Sequence, residues 1–212
     1  MQIKWLGHSS FLIKTSFGKR ILIDPFSCEL GYLGFKGNVD ILTISHNHFD
    51  HFYIDDAWKD CSIITTIGEY SFPFCNIKGL LSYHDKKKGT LRGENIIFIY
   101  DLEGLRLCHL GDLGHYLSDE TIGKLYKTID VLFIPIGGHY TINGKEAAKI
   151  CRSLQPKLIM PMHYKTPFLS IELDGPEYFI LSMDNVKKIN SNTFHLNKDD
   201  KYKAMSVILL DF

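Results

Sequence analysis

Between Ser45 and His51 the chain reads Ser-His-Asn-His-Phe-Asp-His, so three imidazoles and a carboxylate fall within the six residues from His46 to His51. Neutral imidazole and carboxylate are borderline ligands suited to zinc and its neighbours. A catalytic zinc takes about three protein ligands and keeps one position open for water. Successive side chains on an extended or tightly turned loop point in different directions, so His46 and His48 can face one metal ion while Asp50 and His51 face a second. Unpaired imidazoles are costly to bury, and a run this dense in them points to metal binding.

The flanking sequence must hold this run in place. Residues 39–44 are nearly all apolar and rich in β-branched side chains, the pattern of a strand buried on both faces, and the histidines follow its C-terminal end. Upstream, residues 3–6, 11–14 and 20–23 read as strands of an antiparallel meander, separated by Gly7-His8-Ser9 and Phe17-Gly18-Lys19. Downstream, residues 54–59 suggest a short helix and 62–65 and 79–83 further strands. Residues 96–100 pair with 105–109 as a hairpin across Asp101-Leu102-Glu103-Gly104. The second half alternates helical segments (119–127, 144–154, 175–181) with strands (131–134, 157–160), which implies a layered α/β architecture. Two of its strands end alike, in Pro135-Ile136-Gly137-Gly138-His139 and Pro161-Met162-His163; each proline is expected to stop the ladder, and the echo suggests two related sheet halves. Ligands of α/β proteins collect at strand C-terminal ends, where His51, Asp112, His139 and His163 lie.

At 212 residues the chain is expected to form one domain, 1–212, with enough length to bury a core without staples. Lys plus Arg and Asp plus Glu number 24 each, so no global field draws it to nucleic acid or an anionic membrane. Cys28, Cys61, Cys75, Cys108 and Cys151 are odd in number and never spaced C-x-x-C, which argues against a disulfide framework and a Cys-based zinc site. The N-terminus enters a strand at once, and no apolar run approaches membrane-spanning length; a cytoplasmic location is the expectation.

The H-x-H-x-D-H run, the upstream Leu22-Ile23-Asp24-Pro25, Gly111-Asp112 and the late Pro161-Met162-His163 together resemble the metallo-β-lactamase superfamily over nearly the whole chain. Trp5-Leu6-Gly7-His8-Ser9, Ile136-Gly137-Gly138-His139 and Pro161-Met162-His163-Tyr164 resemble its small stand-alone metal-dependent hydrolase branch, which includes the L-ascorbate-6-phosphate lactonase type. The resemblance implies a four-layer αββα sandwich with a two-metal site along one edge of the sheets. It implies His46, His48 and a third histidine at one ion, Asp50, His51 and His163 at the other, and Asp112 between them.

For the third histidine, His84, His109 and His115 lie in the right part of the chain. His84 is preferred because it ends an apolar run, whereas His109 sits within a strand and reads as a satisfied imidazole. His115 is either a pocket residue turned back by Gly114 or a loop histidine, and His8 either a turn histidine or an imidazole supporting the site. Asp24 is expected to accept from a ligating histidine and fix its tautomer. His139 is expected to contact substrate or donate a proton, Lys86-Lys87-Lys88 to hold a substrate anion or else to be solvated, and Tyr140, Tyr164 and Lys165 to line a pocket. His195 reads as structural.

The chemistry these residues imply is hydrolysis by a metal-bound hydroxide, oriented by Asp50 or Asp112, with His139 assisting the leaving group. No Gly-x-Ser-x-Gly elbow offers a side-chain nucleophile. Two divalent ions are expected, zinc first, with Mn2+ or Fe2+ as alternatives, because flavin-linked di-iron relatives carry a carboxylate where this chain has His48. The expected substrate is a small anionic ester, lactone or phosphorylated compound. A phosphodiesterase or nuclease is the alternative, disfavoured by neutral charge and the lack of a substrate-clamping insertion; a non-catalytic metal-binding protein is the third reading. No membrane partner is expected, and a homo-oligomer is left open.

Overall fold

In the computed structural model, which describes residues 1–212, the period-2 pattern of the N-terminal strands divides their side chains between two cores. β1 (Gln2–Gly7), β2 (Ser10–Lys14) and β3 (Arg20–Ile23) form an antiparallel meander, and β4 (Ile41–Thr43) and β5 (Ser62–Ile64) add to it in parallel. Phe11, Ile13, Ile21, Ile23 and Ile41 enter a central cluster of 48 buried residues. Leu12, Leu22 and Leu42, one position out of step, enter a second cluster of 11 with Leu30 and Trp58 from two 3₁₀ turns, Cys28–Leu30 and Asp56–Trp58.

The second sheet begins as an antiparallel series, β6 (Gly68–Phe72), β7 (Cys75–Tyr83), β8 (Glu94–Leu102) and β9 (Leu105–His109), and continues in parallel through β10 (Val131–Pro135) and β11 (Leu158–Met162). β12 (Val186–Ile189) closes its far edge, β13 (Thr193–His195) pairs with β1 in the first sheet, and β14 (Ser206–Leu210) lies between β12 and β11. Helices α1 (Asp119–Leu125), α2 (Gly144–Leu154) and α3 (Glu177–Ile180) lie together beside this sheet, with α2 against β10 and both other helices. Asn143 opens α2 with a capping box: its side chain accepts from the Lys145 and Glu146 amides while Glu146 accepts from the Asn143 amide. This is the two-sheet, few-helix sandwich of the expected αββα fold, with 3₁₀ turns and loops supplying the layer over the smaller sheet.

Several elements differ from the sequence reading. The helical segment 175–181 keeps only Glu177–Ile180, 119–127 stops at Leu125, and 54–59 is one 3₁₀ turn capped by the Asp55 carboxylate. The ladder of 39–44 is confined to Ile41–Thr43. The prolines do not stop the ladder: Pro161 lies opposite Ile134, and Pro135 opposite Met162. Proline is tolerated there because the pairing of β11 with β14 covers only Leu158 and Ile159, leaving the far side of Pro161 unpaired. The echoing segments belong to β10 and β11, neighbours in one sheet rather than two related halves. No helix is long and apolar enough to cross a membrane.

In the first sheet β1, β3 and β4 run the same way; in the second, β7, β9, β10 and β11 do. Each set therefore presents its C-terminal ends along one edge. Those edges are joined where the His163 amide donates to the His8 carbonyl (3.1 Å) and the Ile96 amide to the Ser45 carbonyl (2.9 Å).

Candidate metal centre

Six of those seven strands deliver a polar residue to the shared edge: His8 after β1, Asp24 after β3, His46 to His51 after β4, His84 after β7, Asp112 after β9 and His163 after β11. Potential ligand atoms of His46, His48 and His84 lie within 4.8 Å of one another, as do those of His8, Asp50, His51 and His163, and those of His46, His51 and Asp112. Asp112 stands between the first two groups. Its Oδ2 is 3.1 Å from His84 Nε2 and 3.0 Å from His163 Nε2, and its Oδ1 is 3.2 Å from His51 Nε2. Thus all seven residues expected as ligands from the sequence are brought together, and His8 joins them.

The hydrogen bonds behind the cluster decide which ring nitrogens face it. Asp24 is fully buried and accepts from the Ser45 amide (2.7 Å), the Ser45 hydroxyl (2.7 Å) and His51 Nδ1 (3.0 Å). A hydroxyl has one proton, and Ser45 gives it to Asp24, so the 2.8 Å contact between Ser45 Oγ and His46 Nδ1 requires His46 Nδ1–H to donate. Both His46 and His51 then turn an Nε2 lone pair towards the cluster, and neither Nε2 has a hydrogen-bond partner. A ligating histidine needs this pattern, one nitrogen oriented by protein and the other free. Of seven buried polar side-chain atoms without a partner, three, His46 Nε2, His51 Nε2 and Asp112 Oδ1, belong to one ligand group of the cluster, in keeping with a site that a cation completes. The donor set of imidazoles and carboxylates suits zinc, manganese or iron.

Electrostatics agree. Burial, then the neighbouring His51, lowers the His46 pKa to about 3; burial, then His163, lowers that of His8 to about 4, so both rings are neutral as ligation requires. At His51 burial disfavours the charged ring, but the Asp112 and Asp50 carboxylates outweigh it and hold its proton affinity well above the usual histidine value. At Asp112 burial likewise opposes ionisation and is overcome by His163 and His51. The cluster is thus short of positive charge at its centre. The cysteines lie outside it: all five are free, and burial raises the Cys75 thiol to about 11 and Cys108 to about 12.

The other candidate residues fall as follows. His109 is buried with both nitrogens engaged: Nε2 faces the Ser9 carbonyl (2.9 Å) and Nδ1 accepts from the Gly111 amide (3.1 Å). His115 is likewise used by the backbone, accepting from the Tyr83 amide and facing the Tyr116 carbonyl. His8 Nε2 meets Asp50 Oδ2 at 3.1 Å, and its ring lies 4.2 Å from that of His163. His139 is not brought to the cluster. Its half-exposed ring faces Asp174 at 3.5 Å, because a left-handed backbone at Gly138 (φ 60°) and His139 (φ 54°) turns the chain aside. None of Lys86, Lys87 and Lys88 lines the cleft over the centre, and Lys86 pairs with Glu146 (2.6 Å). Tyr164, stacked on Trp5, and Lys165, which holds the Leu169 and Ile171 carbonyls, line a separate pocket, whereas Tyr140 borders the metal centre.

A cleft of about 510 Å³ opens over His48, Asp50, His84, Asp112 and His163. Four contributors escaped the sequence reading. Ser45 orients His46; Asn95 accepts from the Asp112 amide (2.9 Å) and donates to the Leu110 carbonyl (2.9 Å). Asp85 organises the loop after His84 by accepting from the amides of Lys87, Gly89, Leu91 and Arg92. Burial opposes its charge, but these four amides hold its pKa down to about 2. Arg92, carried by that loop, lines the cleft. An Asp followed by a Lys-Lys-Lys-Gly turn was the legible signal for Asp85; nothing local marked Asn95 or Arg92. Gly111 is also required: at φ 55° a side chain would collide with Asn95 Oδ1 and Ser45.

The sequence profile of the beta-lactamase superfamily domain matches residues 2–163. A UPF0173 metal-dependent hydrolase of Pyrococcus abyssi is 32% identical over 221 aligned residues, covering 89% of this chain and 95% of the relative. One from Methanobrevibacter smithii is 34% identical over 214 residues, covering 84% and 87%. A crystal structure from Thermotoga maritima, described as a Zn-dependent hydrolase of the metallo-β-lactamase superfamily, superposes with a TM-score of 0.80 at 33% identity, covering 99% of both chains. The chain belongs to the metallo-β-lactamase superfamily, and within it to the UPF0173 metal-dependent hydrolases.

Proposed function

We propose that the protein is a hydrolase that uses two divalent metal ions, zinc foremost, to cleave a small anionic ester or lactone. One observation carries this reading: the free Nε2 atoms of His46 and His51, each with its Nδ1 held from behind, converge on a carboxylate that lies between two ligand groups. His46, His48 and His84 would hold one ion, Asp50, His51 and His163 the other, and Asp112 would face both. With divalent ions held there, the site would supply a water of near-neutral pKa and a Lewis acid for the substrate oxygen.

The protein's own groups do the positioning. Asp24 and Ser45 set the tautomers of His51 and His46, and Asn95 anchors the main chain of Asp112. Asp50 lines the cleft with Oδ2 held by His8, and its second oxygen makes no hydrogen bond to the protein, so we assign it to accept a proton from the attacking water. His139 is better placed to hold Arg92, whose guanidinium donates to its carbonyl (3.3 Å), than to protonate a leaving group.

Elemental analysis after metal-replete purification tests the metal part: two ions per chain are expected, falling to one in His163→Ala. A persistent stoichiometry of one in the wild type would reduce the centre to a single site. A screen of lactones, carboxylic and thio-esters, and phosphodiesters tests the reaction, and exclusive turnover of phosphodiesters would replace it with the phosphodiesterase reading.

A further inference from the structure

Arg92 is the one cationic side chain lining the cleft, against the two carboxylates Asp50 and Asp112. It is also held: the Asp85 carboxylate accepts from its amide (2.8 Å), its guanidinium donates to the His139 carbonyl (3.3 Å), and that group lies 5.5 Å from the centre of the Tyr140 ring. Stacking and a single carbonyl contact leave most of the five guanidinium N–H donors unused. A planar donor fork fixed at a cleft wall is suited to an oxyanion that presents two oxygens.

The rest of the wall is apolar. Phe49 is 66% exposed and Leu91 63%, and with Tyr140 they form a rim of large exposed side chains, which Ile171, partly buried against the smaller core, completes. Exposed apolar groups beside a charged anchor mark a binding surface more often than isolated ones do. Among uncharged polar side chains the lining offers only Asn47 and the Tyr140 hydroxyl, too few to satisfy the hydroxyls of a sugar.

We infer that Arg92 is the anion-recognition residue of this cleft and that the substrate is an amphiphile: a carboxylate or phosphate seated on Arg92, an apolar body against Phe49, Leu91 and Ile171, and the scissile bond over Asp112. This rests on the hydrolase reading for the bond but not for the binding. It moves anion recognition from Lys86, whose ammonium is committed to Glu146, to a residue six positions further on.

Calorimetric titration of the zinc-loaded protein tests it without turnover. The probes are 3-phenylpropionate, phenylphosphonate, acetate, inorganic phosphate and 3-phenylpropanol. Arg92→Gln should weaken both aromatic anions by about tenfold or more while leaving 3-phenylpropanol unchanged, and Arg92→Lys should recover only part, because charge without the fork is retained. Phe49→Ser/Leu91→Ser should remove the advantage of phenylphosphonate over inorganic phosphate and of 3-phenylpropionate over acetate. Which anion binds the wild type more tightly separates carboxylate from phosphate. Wild-type affinity for the aromatic anions in Arg92→Gln would overturn the anchor, and an intact aromatic advantage in the double variant would overturn the apolar wall. Arg92-dependent binding with no ester or lactone turned over would leave this inference standing and remove the ester and lactone reading instead.

Discussion

Asn95→Ala is the perturbation that most directly tests how the fold holds its metal centre. Asn95 is fully buried on β8, outside the ligand cluster, and its side chain makes three hydrogen bonds: it accepts from the Asp112 amide and donates to the Leu110 carbonyl and to Ser82 Oγ. Truncation leaves the Ser82 hydroxyl its bond to the Asn95 carbonyl, but strands the Asp112 amide and the Leu110 carbonyl. At about 1–3 kcal/mol for each stranded buried group the cost is about 2–6 kcal/mol, and a water entering the vacated amide volume brings the expectation to the lower half, about 2–4 kcal/mol. With an m-value of about 2–3 kcal/mol/M, the urea midpoint of the metal-free protein should fall by about 1–2 M. Because the lost bond anchors the main chain of Asp112, zinc affinity, read by competition with a chromophoric chelator, should weaken by about 10–100-fold. Ser82→Ala is the control: it loses a hydroxyl from the same network but no anchor of Asp112, so it should cost about 1 kcal/mol and leave zinc affinity unchanged. An Asn95→Ala protein within about 1 kcal/mol of wild type, or one that binds zinc as tightly, would refute this account of Asp112.

His84→Ala should lose zinc, whereas His109→Ala should keep the wild-type zinc content yet lose about 2–4 kcal/mol of stability in urea, because it strands the Gly111 amide and the Ser9 carbonyl; the reverse pattern would exchange the two histidines. Asp24→Asn keeps the shape but must turn an amide N–H2 towards either Ser45 or His51, both of which donate to it, and should weaken zinc binding by about 10–100-fold in the same chelator assay. Lys86→Gln breaks only an exposed ion pair, so it should shift stability by less than about 1 kcal/mol and leave phenylphosphonate affinity unchanged; a weakened affinity would return the lysine run to the cleft.

The amino-acid sequence by itself determined the chemistry and most of the frame. His46, His48, Asp50 and His51 share one loop, so their proximity is covalent and needs no fold to reveal it. The strands behind them were legible because each buries alternating or continuous apolar side chains, and α2 because its caps and its apolar face at Ala147, Ala148, Ile150, Cys151 and Leu154 agree. His163, Asp112 and His84 were reached from the sequence through strand ends and family resemblance; their convergence belongs to the tertiary structure, which lays the six strand ends that carry the site along one edge of two sheets. Only that structure could decide the rest. The left-handed backbone at His8, Asp24 and His163 carries no local signature, because it is held by packing around residues whose own propensities oppose it. Asn95 and Arg92 look like ordinary residues of a strand and a turn, and they acquire roles through partners 17 and 47 positions away, the Asp112 amide and the His139 carbonyl. His139 and Lys86 show the converse: each has a suggestive neighbourhood in the chain, yet Asp174 and Glu146, distant in sequence, draw their side chains elsewhere. Spacing specifies what a side chain can do, whereas its direction depends on groups that only folding brings within hydrogen-bond reach.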